Sequence, residues 1–303
     1  MVTHSCPQNL KKCEARTMKH KSFAIFILTH GRADNVITYE TLKKAGCTAK
    51  VYFVIDNEDD QAEKYYKNFG KKNVIMFDKL AVSKTFDTMD LSEERRTIVY
   101  ARNACFDIAK NLGVEYFLEL DDDYTDFQYR YLSEDCEKLL ITSAKQFDKI
   151  CDLMLDFLDV TKADSVALAQ GGDFIGGKNG DIFKQRVKRK AMNSFFCRTD
   201  KRFDFIGRIN EDVNTYCYLG SQGKLFLTIA DVMLTQVTTQ KNNGGMTDVY
   251  LDSGTYLKTI YTVILCPSFV KISCMGMTHR RIHHRINWNK GVPLILHERW
   301  KKS

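Results

Sequence analysis

Short apolar runs alternate with amphipathic stretches along the N-terminal part of the chain. The runs are apolar at nearly every position, which is typical of strands buried on both faces of a parallel sheet. They predict strands over residues 23–29, 51–55, 74–77 and 115–120. The intervening stretches predict helices over residues 36–45, 58–69 and 95–112. This alternation predicts a right-handed, doubly wound α/β fold with helices around a mostly parallel central sheet.

The pattern is less regular beyond residue 123. Amphipathic spacing predicts helices over residues 144–158 and 210–220, and short apolar runs predict strands at 165–169, 193–197 and 225–229. Residues 78–93 have no clear period and residues 171–180 are rich in glycine, so both segments are predicted to be loops.

Length and composition favour one continuous domain with additions at its ends. The chain has 303 residues, only three prolines and no low-complexity linker. We expect an N-terminal extension over residues 1–20, an α/β domain over 21–235, and a flexible loop with a basic C-terminal region over 236–303. No apolar run is long enough to span a membrane, and the N-terminus lacks the apolar core of a signal peptide. These features predict a soluble, cytoplasmic protein without a membrane partner.

The ten cysteines are scattered and form no C-x-x-C pair. Several lie within apolar patterns, for example Cys105 and Cys151. Buried, reduced thiols explain this distribution better than a disulfide framework or a zinc site.

Polar residues end three of the predicted strands, at Thr29, Asp56 and the triplet Asp121-Asp122-Asp123. In doubly wound sheets, ligands bind at the carboxyl ends of the strands. Three adjacent carboxylates repel one another, and a hard divalent cation with oxygen ligands relieves that repulsion. We therefore predict a site for Mg²⁺ or Mn²⁺ at this edge of the sheet; a solvated acidic turn is the alternative.

The motifs of two common nucleotide-binding classes are absent. The chain has neither G-x-x-x-x-G-K-[ST] nor a G-x-G-x-x-G after the first strand, which disfavours P-loop NTPases and dinucleotide oxidoreductases. A metal-bound diphosphate that acts as a leaving group remains compatible with the acidic triplet.

The excess positive charge is local. The formal net charge is +7, with one basic run at residues 184–190 and another at 280–285. Basic clusters suit a polyanionic partner because each neutralised phosphate releases condensed counterions. A solvated surface or contacts to nucleotide phosphates are the alternatives.

The order of the motifs resembles that of the GT-A glycosyltransferases, in particular their inverting, family-2-like branch. The resemblance covers residues 23–229 and rests on Leu28-Thr29-His30-Gly31-Arg32, the strand that ends at Asp56, Ala101-Arg102-Asn103, Leu118-Glu119-Leu120-Asp121-Asp122-Asp123, and Asn210-Glu211-Asp212. It implies a GT-A fold and the metal-dependent transfer of a sugar from a nucleotide-sugar, UDP-linked by the family likeness, with inversion.

This resemblance also assigns roles to individual residues. Nucleotide-sugar contacts are implied for Thr29, Gly31, Arg32, Asp56, Arg102, Asn103, Asp121 and Asp122. Asp121 and Asp123 correspond to the ends of the DxD metal motif. A C-terminal histidine completes the metal site in some GT-A enzymes, and His279 is the first candidate here, with His283 or His284 as the second. Asp212 matches the catalytic base, and its neighbour Glu211 is the alternative base.

The whole chain resembles the TET-associated glycosyltransferases of bacteriophages. This likeness rests on the GT-A motifs, the Asn242–Thr247 loop and the basic C-terminus. It implies transfer to 5-hydroxymethylpyrimidines, such as 5-hydroxymethylcytosine, in double-stranded phage DNA in the host cytoplasm, with the base extruded from the stack. Contacts to the DNA acceptor are then expected from Lys188, Arg189, Lys190, Arg280, Arg281 and Arg285.

Three other functions compete with this interpretation. A GT-A enzyme can instead act on a saccharide or lipid-linked acceptor. A nucleic-acid-binding module can be built on a decayed transferase fold, although intact Asp121, Asp123 and Asp212 argue against decay. A nucleotidyltransferase would share the sheet and the metal, but it would normally carry a fuller glycine-rich and basic signature after the first strand.

Overall fold

The fold is taken from a computed structural model, which describes residues 18–135, 137–237, 256–275 and 281–292. Its strands are β1 (Phe23–Leu28), β2 (Lys50–Asp56), β3 (Val74–Phe77), β4 (Tyr116–Asp121), β5 (Tyr124–Leu132), β6 (Leu139–Ser143), β7 (Ser165–Ala169), β8 (Val187–Lys188), β9 (Ser194–Arg198), β10 (Phe226–Gln236), β11 (Val270–Met275) and β12 (Arg281–Ile286). Its α-helices are α1 (Ile37–Lys44), α2 (Ala62–Phe69), α3 (Lys79–Ser83), α4 (Val99–Leu112), α5 (Phe147–Thr161), α6 (Asp181–Gln185), α7 (Glu211–Ser221), α8 (Tyr256–Leu265) and α9 (Trp288–Gly291).

One large mixed sheet organises the molecule, with the strand order β3-β2-β1-β4-β9-β7-β10-β5-β6 and with β8 paired to β10. The strands β3, β2, β1 and β4 are mutually parallel, and β7 is parallel to β10. The other pairings, including those of β9 and of the β5–β6 hairpin, are antiparallel. The predicted α/β class, with a central sheet flanked by helices, is confirmed.

Strand β1 lies at the centre of the parallel half, and all six of its residues are buried. Phe23, Ile25 and Ile27 belong to the apolar cluster that α1, α2 and α5 cover on one face of the sheet. Ala24, Phe26 and Leu28 belong to the cluster that α4 and α7 cover on the other face. Burial of a large apolar side chain contributes about 1.5–3 kcal/mol, so this two-sided packing accounts for the uninterrupted apolar run.

The parallel register brings the predicted polar strand ends together. Leu28 at the end of β1 is paired with Val54 on one side and with Asp121 on the other. The chain therefore leaves β1, β2 and β4 at one edge of the sheet. Thr38, at the start of α1, fixes the acidic turn there, because its backbone N–H donates to the Asp122 carbonyl at 3.1 Å and its hydroxyl donates to the Asp121 carbonyl at 2.5 Å.

Several elements differ from the sequence-based expectations. The β5–β6 hairpin was not predicted, because many of its positions are partly exposed and its apolar pattern is weak. The segment predicted to be a loop over 78–93 contains α3, whose first turn is capped by the Asp78 carboxylate. Strand β10 extends to Gln236, beyond the predicted end at residue 229. The described part of the C-terminal region contains α8, which packs on the β11–β12 hairpin and on α7.

Candidate active site

A cavity of about 970 Å³ lies at the carboxyl edge of the parallel strands. Its volume is within the range of cavities that bind nucleotides and drug-sized ligands. Its lining comes from the ends of β1, β2 and β4, from the segments after β7 and before β9, and from the end of β10. The lining residues include Thr29, His30, Arg32, Asp56, Asp121, Asp122, Asp123, Gln170, Gly171, Gly172, Asn193, Gln236 and Lys258.

Asp122, the middle residue of the acidic triplet, is held by the β1 loop. Its carboxylate accepts a 2.7 Å hydrogen bond from the Thr29 hydroxyl and a 2.8 Å bond from Nη1 of Arg32. The Tyr65 hydroxyl supports this arrangement, since it lies 2.8 Å from Thr29 Oγ1 and accepts from the Arg32 backbone N–H at 2.9 Å. Asp122 is only 4% exposed, so its carboxylate orients Arg32 and Thr29.

Asp123 has a different environment. No ion pair joins its carboxylate to another residue in the part of the chain that the structure describes. Burial, together with the neighbouring Asp121 and Asp122 carboxylates, raises the pKa of Asp123 to about 7. A partly buried carboxylate with this excess of negative charge beside it is suited to a divalent cation.

The Asp121 carboxylate forms an ion pair with the buried Arg102 guanidinium. Arg102 Nη2 donates to Asp121 Oδ1 at 3.0 Å, which leaves the second carboxylate oxygen for another partner. Among the described residues, no group of three or more His, Cys, Asp or Glu side chains is arranged to hold a metal ion. Asp121 and Asp123 nevertheless fit Mg²⁺ or Mn²⁺, because such ions are commonly bound by one or two carboxylates together with water and substrate phosphates.

Arg102 links the acidic triplet to the start of α7. It is 1% exposed, and its Nε donates to Glu211 Oε1 at 3.2 Å. Its Nη1 lies 3.6 Å from Glu119 on β4. Burial alone would lower the pKa of Arg102, but Asp121, Glu211 and Glu119 raise it above its ordinary value. Burial raises the pKa of Glu119 to about 8.

Glu211 and Asp212 form the first turn of α7 and line a second, smaller cavity of about 160 Å³. Burial and the adjacent Asp212 raise the pKa of Glu211 to about 7. Asp212 is 6% exposed, and its Oδ1 accepts from the Val213 backbone N–H at 2.7 Å. The two cavities share Asp121 and Lys258 among their lining residues, so the acidic triplet and the α7 carboxylates line adjacent cavities.

Asp56 lies at the far end of the large cavity, within a charged group. It contacts His30 Nδ1 at 2.8 Å and Lys79 Nζ at 3.2 Å. The hydrogen bond to Asp56 raises the pKa of His30. Burial opposes ionisation of Asp56, but His30 and Lys79 lower its pKa overall. Gly31 has a φ of 67°, in the left-handed region, and its N–H donates to Asp59 Oδ2 at 2.8 Å.

Comparison with known families assigns the chain. The family model described as TET-associated glycosyltransferase matches residues 23–245, which include both cavities' acidic residues. The chain belongs to the TET-associated glycosyltransferase family. It is therefore a glycosyltransferase, as the order of its motifs predicted. No curated protein matches it.

Solved structures with a similar arrangement have little sequence in common with this glycosyltransferase. A mycobacterial protein is 8% identical, with a TM-score of 0.41, and the match covers 92% of this chain and 89% of that one. Glucosyl-3-phosphoglycerate synthase from Mycobacterium tuberculosis, in complex with Mg²⁺ and uridine diphosphate, is 8% identical, with a TM-score of 0.41 and coverages of 90% and 88%. The same enzyme with Mn²⁺, uridine diphosphate and phosphoglyceric acid is 7% identical, with a TM-score of 0.39 and coverages of 90% and 88%.

Three of the predicted nucleotide contacts in the glycosyltransferase need reinterpretation, and one of them, Gly31, lines neither cavity and is engaged by Asp59 and Gln61. The Asn103 amide donates to the Phe205 carbonyl at 3.0 Å and accepts from the Phe205 N–H at 2.7 Å. It therefore fixes the segment before α7 and does not line either cavity. Arg102 lines only the small cavity. Its buried guanidinium forms ion pairs there with Asp121 and Glu211.

The basic run that was predicted to bind DNA is engaged within the protein. Lys188 and Lys190 lie 3.4 Å and 2.6 Å from the buried Asp173 carboxylate. The Arg189 guanidinium stacks over the Trp288 ring at 4.8 Å and donates to the Gly220 carbonyl at 3.2 Å. A DNA contact by these side chains would have to compete with those interactions. In the sequence these residues form a run of positive charges, and such a run does not show which residues of the same protein they contact.

The C-terminal candidates are only partly described. His279 and Arg280 lie outside the described residues. Arg281 and Arg285 lie on β12, and Arg285 is exposed. His283 and His284 also lie on β12, with ring centroids 4.3 Å apart, and neither lines a cavity. Burial lowers the pKa of His284 to about 3. His283 and His284, the second candidates for a metal-ligating histidine, are therefore not among the residues that line the cavity with Asp123.

The sequence-based prediction missed several lining residues, among them Lys258, Gln170 and Asn193. Lys258 on α8 lines both cavities although it is far along the chain from every motif. Gln170 lines the large cavity, and Asn193 lines both cavities from the start of β9, beside the end of β4. The Gly171-Gly172 pair was a signal for Gln170, because backbone without side chains permits close approach of a ligand. No sequence signal pointed to Lys258.

Within the described residues, no helix is long and apolar enough to cross a membrane.

Proposed function

We propose that this glycosyltransferase moves a sugar, with inversion, from a UDP-linked nucleotide-sugar to the hydroxyl of 5-hydroxymethylcytosine in bacteriophage DNA, with Mg²⁺ or Mn²⁺ as cofactor. The observation that carries the proposal is the placement of two carboxylate groups around two adjacent cavities. Asp121 and Asp123 lie at one wall, and Glu211 and Asp212 lie at the start of α7. An inverting transfer needs this separation of a donor side from an acceptor side.

On the donor side, Asp121 and Asp123 would hold the cation, which would supply countercharge for a diphosphate leaving group. Asp122 keeps Arg32 and Thr29 in place beside the diphosphate, through hydrogen bonds of 2.8 Å and 2.7 Å. Asp56, with His30 and Lys79, forms the polar end of the cavity where the base or ribose is bound.

On the acceptor side, Asp212 takes the proton from the acceptor hydroxyl. Its carboxylate has no cationic partner among the described residues, whereas Glu211 is held by Arg102 at 3.2 Å. The Asp212 carboxylate is therefore not held by an arginine and can accept the proton of an acceptor hydroxyl. Glu211, whose pKa is raised to about 7 by burial and by Asp212, is the alternative base.

A DNA acceptor is supported by the family's association with TET enzymes and by the net charge of +7. Because Lys188, Arg189 and Lys190 have contacts within the protein, the exposed Arg285 is the described candidate for a DNA contact, and Arg280 and Arg281 remain candidates from the sequence. The target base must be extruded, because its hydroxyl has to reach Asp212. The C-terminal region, over residues 236–303, takes part on this side, since Lys258 lines both cavities. A saccharide or other non-DNA hydroxyl is the alternative acceptor.

The test is a transfer assay with the full chain. The protein is incubated with Mn²⁺, a panel of nucleotide-sugars, and DNA with or without 5-hydroxymethylcytosine, and the nucleosides are then weighed by mass spectrometry. The proposal predicts a gain equal to the mass of the transferred sugar, only on the hydroxymethylated nucleoside and only with a divalent cation present. Sugar transfer to a saccharide without any gain on modified DNA would establish the alternative acceptor.

A further inference from the structure

Helix α8 contacts the candidate site at its first turn and α7 one turn later. Lys258, in the first turn of α8, lines both cavities. Thr262 follows four residues later, so the two side chains lie on the same face of the helix. Thr262 is fully buried. Because α8 lies beyond residue 245, where the family match ends, the C-terminal region adds contacts that the family match does not include.

The Thr262 hydroxyl bridges the two asparagines that flank the α7 carboxylates in the chain. It accepts a hydrogen bond from Nδ2 of Asn210 at 2.6 Å and donates one to Oδ1 of Asn214 at 2.7 Å. Asn210 and Asn214 are 2% and 0% exposed, so neither bond is open to competition from bulk water. One hydroxyl therefore joins the residue before the first turn of α7 to the residue that ends this turn.

The backbone at Asn210 needs such support. Its φ of 63° lies in the left-handed region, which few residues other than glycine adopt. An asparagine at the start of a helix usually accepts a hydrogen bond from an N–H of the first turn, but the Asn210 side chain makes no such bond. Its amide nitrogen donates to Thr262 instead. An unfavourable backbone conformation persists where its surroundings hold it, and here α8 supplies the contact.

The chain that leads into α7 is also held by other elements. Nδ2 of Asn103 on α4 donates to the Phe205 carbonyl at 3.0 Å. The Gly207 N–H donates to the Asp87 carbonyl at 2.9 Å. These bonds fix the path of the segment before the helix, whereas the bonds of Thr262 hold both ends of the first turn of α7.

We propose that Thr262 is a positioning residue, whose hydroxyl fixes the first turn of α7 so that the base on this turn meets the acceptor hydroxyl. This inference rests on the proposed function, because it takes Glu211 or Asp212 as the base. A base must lie within hydrogen-bond reach of the proton that it removes, and a displacement of about 1 Å can cost about 100-fold in rate. Loss of the bridge should therefore slow the transfer and leave the donor side intact.

The test compares Thr262→Val with Thr262→Ser and Thr259→Val. Valine keeps the shape of threonine and removes the hydroxyl, whereas serine keeps the hydroxyl. Thr259→Val is the matched control, because Thr259 is a threonine of the same helix and is 2% exposed. The Thr259 hydroxyl donates to the Ile282 carbonyl on β12 at 3.4 Å. Thermal unfolding of each variant sets a temperature at which all of them are folded.

We expect kcat of Thr262→Val to fall about 10- to 100-fold, while the Kd for UDP in the presence of Mn²⁺ is unchanged. Thr262→Ser and Thr259→Val should retain most of kcat. A general loss of folded protein would instead lower transfer and UDP binding together.

Amide hydrogen exchange provides a measurement that needs no acceptor. The Asn214 N–H donates to the Asn210 carbonyl at 3.0 Å, so its exchange reports the opening of this turn. We expect this amide to exchange about tenfold faster or more in Thr262→Val than in the wild type or in Thr259→Val.

The outcomes separate this inference from the proposed function. If Asp212→Asn and Glu211→Gln both keep the wild-type kcat, the base is not on α7, and the proposed function and the inference both fail. If either of these variants is slow while Thr262→Val keeps the wild-type kcat, the base stands and the role of Thr262 is wrong. An equal loss in Thr262→Ser, a parallel loss of UDP binding, or unchanged exchange in α7 would also overturn that role.

Discussion

The donor and acceptor sides of the site are built in different ways. On the donor side, Asp122 is fixed by short hydrogen bonds from Thr29 and Arg32, and both come from the loop that directly follows β1. On the acceptor side, polar atoms of Thr97, Arg208 and Asn210 remain unpaired among the described residues, and Lys258 arrives from a helix far along the chain. Arg102 joins the two sides through Asp121 and Glu211.

Under the proposed function, Asp122, Thr29 and Arg32 satisfy one another and form an organised part of the wall beside the diphosphate that nucleotide-sugars share. Unpaired buried groups disfavour substrates that leave them desolvated, and they include Gln170 Nε2 in the large cavity as well as the atoms near α7. The following variants test whether the carboxylates at the two places have the different roles proposed for them.

The largest expected effect comes from Asp212→Asn. Loss of a general base typically costs about 10²- to 10⁴-fold in rate, so kcat should fall by this amount while the affinity for the nucleotide is unchanged. Transfer rates and nucleotide titrations measure the two quantities separately. Glu211→Gln is the companion variant. A larger rate loss in Glu211→Gln than in Asp212→Asn would transfer the role of base to Glu211.

Arg102→Met tests the link between the two sides. Removing one partner of a buried ion pair typically costs about 3–5 kcal/mol, because the carboxylates of Asp121 and Glu211 would lose their buried countercharge. Denaturant unfolding measures the loss. Arg202→Met is the matched control, since the ion pairs of Arg202 with Asp107 and Asp204 are largely exposed. We expect that control to change the free energy of unfolding by no more than about 1 kcal/mol.

Asp123→Asn should weaken metal-dependent binding of the nucleotide by at least about 100-fold. Removing a residue that only supports a metal ligand costs up to about 100-fold in metal affinity, and removing a ligand should cost at least as much. Titration of UDP with and without Mn²⁺ measures this loss. Asp122→Asn should act differently, because the Asp122 carboxylate accepts hydrogen bonds from Thr29 and Arg32. We expect this variant to lower the stability of the fold before it lowers metal binding. If UDP binding depended on Mn²⁺ to the same extent in both variants, the different roles assigned to Asp122 and Asp123 would be wrong.

The smallest effect is expected from His30→Gln at the far end of the donor side. The hydrogen bond to Asp56 raises the pKa of His30 above its ordinary value of 6.5. The stability that this pair contributes is therefore fully present below about pH 6.5 and is lost as the pH rises through the raised pKa. Because His30 is half-exposed, we expect a loss of less than about 1 kcal/mol at pH 6 and almost none at pH 9. A loss that is independent of pH would contradict this assignment.

Much of the fold followed from local pattern. Strand β1 is apolar at every position because helices cover both faces of the sheet there, and the same pattern located β2, β4 and β7. The hairpin β5–β6 was missed because its strands are partly exposed and lack a clear period. The strand-end residues were also predictable, because parallel strands deliver their carboxyl ends to one edge.

The sequence by itself determined the family, the α/β class and the positions of the acidic triplet and the Glu211-Asp212 pair, because these depend on neighbouring residues and on element order. Only the tertiary structure decided which aspartate is engaged, because Asp122 and Asp123 differ in their spatial neighbours and not in their residue type. It likewise placed Lys190 against Asp173 rather than in solvent. It also fixed the Asn210 amide through Thr262 and Asn214, since hydrogen bonds between distant elements leave no periodic trace in the chain.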